Sequence, residues 1–154
     1  MSTATLTSKG QITIRQALNT IGLDTNGLVR YMAQDDPRQS AVATRLIEKE
    51  LSPGEPGFIS LMVLAKLCWF LTRLYSASAD ELIAAVEDLL NTPQFHLDRR
   101  GAVIATVQHM KARKGAKAGF VDALIAQLAV SEGCSRTVSF YKVAVRSAGM
   151  VLLA

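Results

Sequence analysis

Polar and apolar residues alternate over residues 3–7 and 11–15 on either side of Ser8-Lys9-Gly10, which predicts a β-hairpin. A lone two-stranded hairpin is marginal in water, so it must dock on the domain or on a partner chain. From Thr20 the period changes. Ile21-Gly22-Leu23 reads as a short buried strand ending at Asp24, followed by a brief helix through Leu28, Val29 and Met32. Asp36-Pro37 supplies an N-cap acid and a first-turn proline for a helix to about Leu51, with Val42, Leu46 and Ile47 on one face. After the loop 52–57, Phe58-Ile59 predicts a second strand and Ser60 the cap of an apolar helix. Ser78-Ala79-Asp80-Glu81 is a capping box that opens a helix to about Leu90. Phe95-His96-Leu97 predicts a third strand, and Asp98 the cap of a helix carrying Val103, Ile104, Val107 and Met110. Residues 111–119 are basic and loop-like, and a helix over 120–132 stops at Gly133. Residues 136–140 and 150–153 read as strands around a short helix at 143–147.

Strands alternating with helices at this spacing predict an α/β domain with helices on both faces of a mostly parallel central sheet. The hairpin occupies residues 1–19 and the domain residues 20–154. Composition agrees: 154 residues, 49% apolar and 19% charged, can bury a core without disulfides or a structural metal, and a disordered chain is excluded. Residues 58–75 are apolar nearly all round, but Lys66 at the middle and Arg73 near the end argue against a membrane span. A helix buried in a soluble core is expected instead. The N-terminus has neither a basic start nor an apolar run, which predicts a cytoplasmic chain. Cys68 and Cys134 are expected as free thiols, and with only His96 and His109 beside them a zinc site is not expected.

Two acids stand where open parallel sheets bind ligands. Asp24 follows the first strand with Thr25 and Asn26 able to hydrogen-bond it, and Asp122 falls in the first turn of a helix, where the dipole favours its ionised form. Such a pair suits Mg²⁺, which takes few protein oxygens and keeps its waters; from spacing alone they read more readily as a turn residue and a helix-start acid. Lys66, with Met62, Val63, Trp69 and Phe70 as helical neighbours, must either reach an edge or meet an acid, and pairing with Asp24 or Asp122 is expected. The net charge of +4 permits a nucleic-acid partner without demanding one. The basic tract of Arg99, Arg100, Lys111, Arg113, Lys114 and Lys117 lacks interleaved aromatics and reads more readily as a solvated face than as a phosphate-binding one.

Residues 21–45, IGLDTNGLVRYMAQDDPRQSAVATR, resemble the opening of PIN-domain toxins of the VapC type. The likeness continues through Gly57-Phe58-Ile59-Ser60 and the apolar helix, through Phe120-Val121-Asp122-Ala123-Leu124-Ile125-Ala126, and through Val138-Ser139-Phe140. The resemblance implies a three-layer α/β/α fold and a Mg²⁺- or Mn²⁺-dependent endoribonuclease of a type II toxin–antitoxin system, forming homodimers and binding a cognate antitoxin. It implies Asp24 and Asp122 as catalytic and metal-binding acids, supported by Thr25, Asn26 and Ser139. Three further acids of the pattern are replaced, by Lys66, Gly119 and Tyr141. Relative to that pattern these departures account for the whole of the +4, or for three of the four charges if position 119 is set aside. A weakened metal site and weak or absent nuclease activity are therefore expected, with RNA binding retained as an option. The alternatives are an active enzyme using Asp24 and Asp122, and a non-enzymatic decoy that binds an antitoxin. Residues 6–14, LTSKGQITI, resemble the start of AbrB-type swapped-hairpin antitoxins, a stub too short to imply DNA binding.

Overall fold

In a computed structural model, residues 2–6, 12–16, 20–113 and 119–154 are described. Strands β1 (Ser2–Leu6) and β2 (Ile12–Gln16) pair antiparallel, from Ser2 opposite Gln16 to Leu6 opposite Ile12. The expected hairpin is thus formed, one residue away from its predicted bounds.

Strands β3 (Ile21–Gly22), β4 (Gly57–Ile59) and β5 (Phe95–Leu97) form a parallel three-stranded sheet in that order. Between β3 and β4 lie α1 (Thr25–Ala33), α2 (Pro37–Arg45) and a π-helical turn, Leu46–Glu50. Helices α3 (Leu61–Leu74) and α4 (Ala79–Asn91) lead to β5, and α5 (Arg100–Ala112) and α6 (Phe120–Ser131) follow it. The chain finishes with β6 (Val138–Ser139), α7 (Lys142–Ala148) and β7 (Val151–Leu152). This is a helix-rich α/β domain consistent with the three-layer α/β/α arrangement. Among the described residues β6 and β7 pair with each other, in parallel, and form a sheet of their own.

The local signals behave as their chemistry requires. Asp36 accepts the Gln39 N–H at 2.9 Å with Pro37 in the first turn of α2. Ser78 and Glu81 form both bonds of the capping box on α4. Gly133 follows α6 with φ +84°, a left-handed stop that a side chain would strain. The core joins Leu28, Ile59, Leu64, Leu67, Leu97, Val103 and Phe120, each essentially without solvent exposure, and burying each such side chain contributes about 1.5–3 kcal/mol.

Three expectations are corrected. The helix begun at Pro37 loses its α-helical spacing at Leu46, and its buried stripe is Ser40, Ala43 and Ile47 while Val42 is exposed. Asp98 does not cap the helix after it: Arg99 stands at that N-cap in a left-handed conformation, and Asp98 Oδ2 accepts the Leu61 N–H at 3.4 Å across the sheet. Helix α3 is not buried all round. Only Leu64, Leu67 and Cys68 are fully covered, while Met62 is 84% and Trp69 54% exposed. Burial pushes the Cys68 thiol up to about 12, so it stays neutral and unreactive at physiological pH, whereas Cys134 is an exposed free thiol.

Candidate functional site

The carboxyl ends of the three parallel strands carry Asp24, Ser60 and Asp98 in sheet order. Each follows a short apolar strand because a polar residue there can turn the chain and receive free N–H groups. Asp24 is the N-cap of α1, and its Oδ1 accepts the Thr25 N–H at 2.7 Å. Ser60 is the N-cap of α3 and accepts the Val63 N–H at 3.1 Å. Asp98 is the residue at this edge that sequence reasoning took for a helix cap. The signal that could have found it is the one used for Asp24, an acid directly after an apolar strand.

Thr25 supports Asp24 through its backbone and not, as expected, its side chain. The residue is fully buried, and Thr25 Oγ1 is a buried oxygen without a hydrogen-bond partner among the described residues. Asn26 is exposed and lines a cleft described below. Ser139 Oγ accepts the Tyr141 N–H at 2.9 Å, a local turn that positions Tyr141 at the N-cap of α7.

Asp122 is half-buried in the first turn of α6, three residues after Gly119 at the N-cap. Gly119 offers no side chain to the free N–H groups of that helix, and a Cβ added there meets nothing within 4 Å. Tyr141 is 56% exposed. Lys66 is exposed, and its Nζ lies 6.0 Å from the centroid of the Phe70 ring. Among the described residues no hydrogen bond or ion pair joins Lys66 to Asp24 or Asp122. The expected lysine bridge is therefore not formed. The reason is the exposure of the α3 face on which Lys66 lies: water and a ring face solvate the ammonium, and no buried charge has to be neutralised.

The basic tract is mostly tied down. Arg99 pairs with Glu132 at 2.8 Å, Lys111 with Glu87 at 2.7 Å, Arg100 donates to the Leu90 carbonyl and Arg113 to the Arg146 carbonyl. Lys114 and Lys117 lie outside the described residues.

A cleft of about 700 Å³ opens between α1 and α2, and Asp24 is not among the residues that line it. Leu23, Val42 and Leu46 supply apolar walls, and Asn26, Arg30 and Arg38 polar ones; no acid lines it. Arg30 is held by Gln39 at 2.8 Å and by Asp35 at 3.1 Å. Asp35 in turn accepts the Tyr75 hydroxyl at 2.7 Å, which holds its carboxyl below the usual range and raises the Tyr75 phenol.

A divalent cation needs converging oxygens. Among the described residues no group of three or more Asp, Glu, His or Cys side chains could hold a metal, and the stretches outside them contain none of these residue types. No described helix is long and apolar enough to cross a membrane. One family model, described as PIN domain, matches residues 21–142. No curated protein and no solved structure matches the chain.

Proposed function

The chain belongs to the PIN domain family, a nuclease-type fold that generally uses divalent metals, and from that premise we propose that it is a VapC-like member of a type II toxin–antitoxin system with weak or no nuclease activity. The donor set carries this reading. Residues present here do not fit a catalytic divalent ion: a cation, a glycine and a tyrosine occupy three positions where the VapC-like pattern has carboxylates, and among the described residues no three acidic side chains converge. Asp24 already spends one oxygen on its own helix. In metal-assisted phosphodiester hydrolysis the ion would activate water and stabilise charge on the phosphate; with these residues neither role has a holder.

An active endoribonuclease using Mg²⁺ or Mn²⁺ would have to rely on Asp24 and Asp122 alone. The cleft beside α1 supports the partner half of the proposal. Its apolar walls and Arg38 at its rim suit an antitoxin segment that presents apolar side chains flanked by a carboxylate, Arg30 being already paired with Asp35. It lends equal support to a non-enzymatic role as an antitoxin-binding decoy. The hairpin of residues 1–19 is read as an antitoxin-like stub, and a homodimer is the expected state.

A cleavage assay tests the proposal. Incubated with single-stranded RNA and millimolar Mn²⁺, the wild-type chain is expected to release no more product than Asp24→Asn. Cleavage that disappears in Asp24→Asn and in Asp122→Asn would overturn it.

A further inference from the structure

A second hollow lies at the other end of the strands from Asp24, Ser60 and Asp98. Its volume is about 520 Å³, within the range of small-molecule sites. Pro56 immediately precedes β4 and Pro93 stands just before β5, so the hollow opens at the amino-terminal end of the sheet, beside the edge strand β5. Three of the four prolines of the chain, Pro53, Pro56 and Pro93, line it. Each ring fixes its own φ, so these walls are set before a ligand arrives. Backbone bonds hold them further: Ser52 and Glu55 exchange N–H and C=O at 3.2 and 3.1 Å around Pro53, and the Pro56 carbonyl accepts the Ile21 N–H at 3.2 Å. Asn91, Thr92, His96 and Arg100 supply the polar lining, and no carboxylate does. The Thr92 hydroxyl is spent on the Asp88 carbonyl at 2.6 Å. The Arg100 guanidinium is pinned, with Nη2 donating to the Leu90 carbonyl at 2.8 Å, and among the described residues no carboxylate pairs with it. Lys111, in the adjoining hollow between α4 and α5, is already paired with Glu87 at 2.7 Å.

We propose that this hollow is a binding site for a small organic carboxylate with a flat apolar body. Arg100 keeps guanidinium N–H groups beyond the one given to Leu90, and their planar fork matches the two oxygens of a carboxylate. The Asn91 amide and the His96 ring add N–H donors of their own, since either imidazole tautomer carries one. Charge decides between anions. Among the described residues Arg100 is the one permanent cation in the lining, which suits a single negative charge. A dianionic phosphate monoester or a polyanionic strand needs more than one cation, and a second is not offered. The proline rings present fixed apolar faces, which a rigid ring covers without losing rotamer freedom. Neither Asp24 nor Asp122 lines the hollow, so occupancy is independent of any nuclease activity.

Titration of the full ¹⁵N-labelled chain with sodium benzoate tests the site by nuclear magnetic resonance. The Asn91 side-chain amide, the His96 backbone amide and the Arg100 Nε–H should shift saturably, with a dissociation constant on the order of 1 mM. Benzamide, the same ring without the charge, should bind at least about 10-fold more weakly, and inorganic phosphate should bind more weakly than benzoate. Arg100→Gln should weaken benzoate about 10- to 100-fold. Arg100→Lys should weaken it less, because a point charge replaces the fork. Lys49→Ala, which removes an exposed cation elsewhere, should leave the affinity unchanged. Absence of saturable shifts up to about 30 mM benzoate, or shifts confined to other residues, would overturn the proposal. So would benzamide or phosphate bound as tightly as benzoate, or full benzoate affinity in a folded Arg100→Gln variant. The comparison of benzoate with benzamide needs the wild-type chain alone, so it decides even where a variant fails to fold.

Discussion

Lys66→Glu combined with Gly119→Asp and Tyr141→Asp is expected to create divalent-metal binding where the wild-type chain has none. Each position accepts a carboxylate without disturbing the fold. Lys66 is exposed on α3, a Cβ at Gly119 meets nothing within 4 Å, and Tyr141 is an exposed N-cap. Aspartate at position 119 also becomes a preferred N-cap for α6, one turn from Asp122. The three changes, of −2, −1 and −1, remove the formal net charge of +4. Each unit of charge brought to within about 6 Å of a divalent ion contributes about 1 kcal/mol even at the dielectric constant of water. Calorimetric titration should show Mn²⁺ affinity at least about 100-fold tighter than in wild type. A triple variant that folds, by circular dichroism, and gains no binding would mean that these positions do not share a site.

The second large effect is on stability. Phe120 opens α6, the helix that carries Asp122, and is 2% exposed among the core side chains. Phe120→Ala should cost about 3–5 kcal/mol, the transfer of the ring plus the cavity left behind. The urea midpoint should fall with little change in slope, whereas Ile125→Ala on the exposed side of the same helix should cost under about 1 kcal/mol. A loss below about 1 kcal/mol for Phe120→Ala would contradict the docking of α6 on the core.

The order of elements and the strand ends were legible because they rest on local signals. Caps at Asp36, Ser60 and Ser78 and the stop at Gly133 are short-range hydrogen-bonding and dihedral effects, and the structure forms each of them. Burial depends on neighbours far along the chain and was less legible. Val42 and Trp69 read as core by composition, but α2 turns Ser40 and Ala43 inward and leaves Val42 exposed, and nothing described covers the outer side of α3. Lys66 was misread for the same reason: its apolar sequence neighbours suggested a buried charge needing an acid, while the ammonium lies in water beside Phe70. Asp98 was read from the helix after it and not from the strand before it. What the sequence could not place is the separation of Asp24 from Asp122, since that is set by how α6 packs and not by any local pattern. The family match over residues 21–142 shows the PIN domain family, while the toxin–antitoxin role rests on residue-level likeness.

The central claim is that replacement of three acids has emptied this fold's catalytic centre of the charge a metal needs. Titration of the wild-type chain with Mn²⁺ and Mg²⁺ by isothermal calorimetry tests it most directly. The account predicts no saturable heat up to about 5 mM of either ion, because two carboxylates and their waters bind weakly without substrate phosphates. Saturable one-site binding at micromolar to low-millimolar concentration, lost in Asp24→Asn, would contradict it.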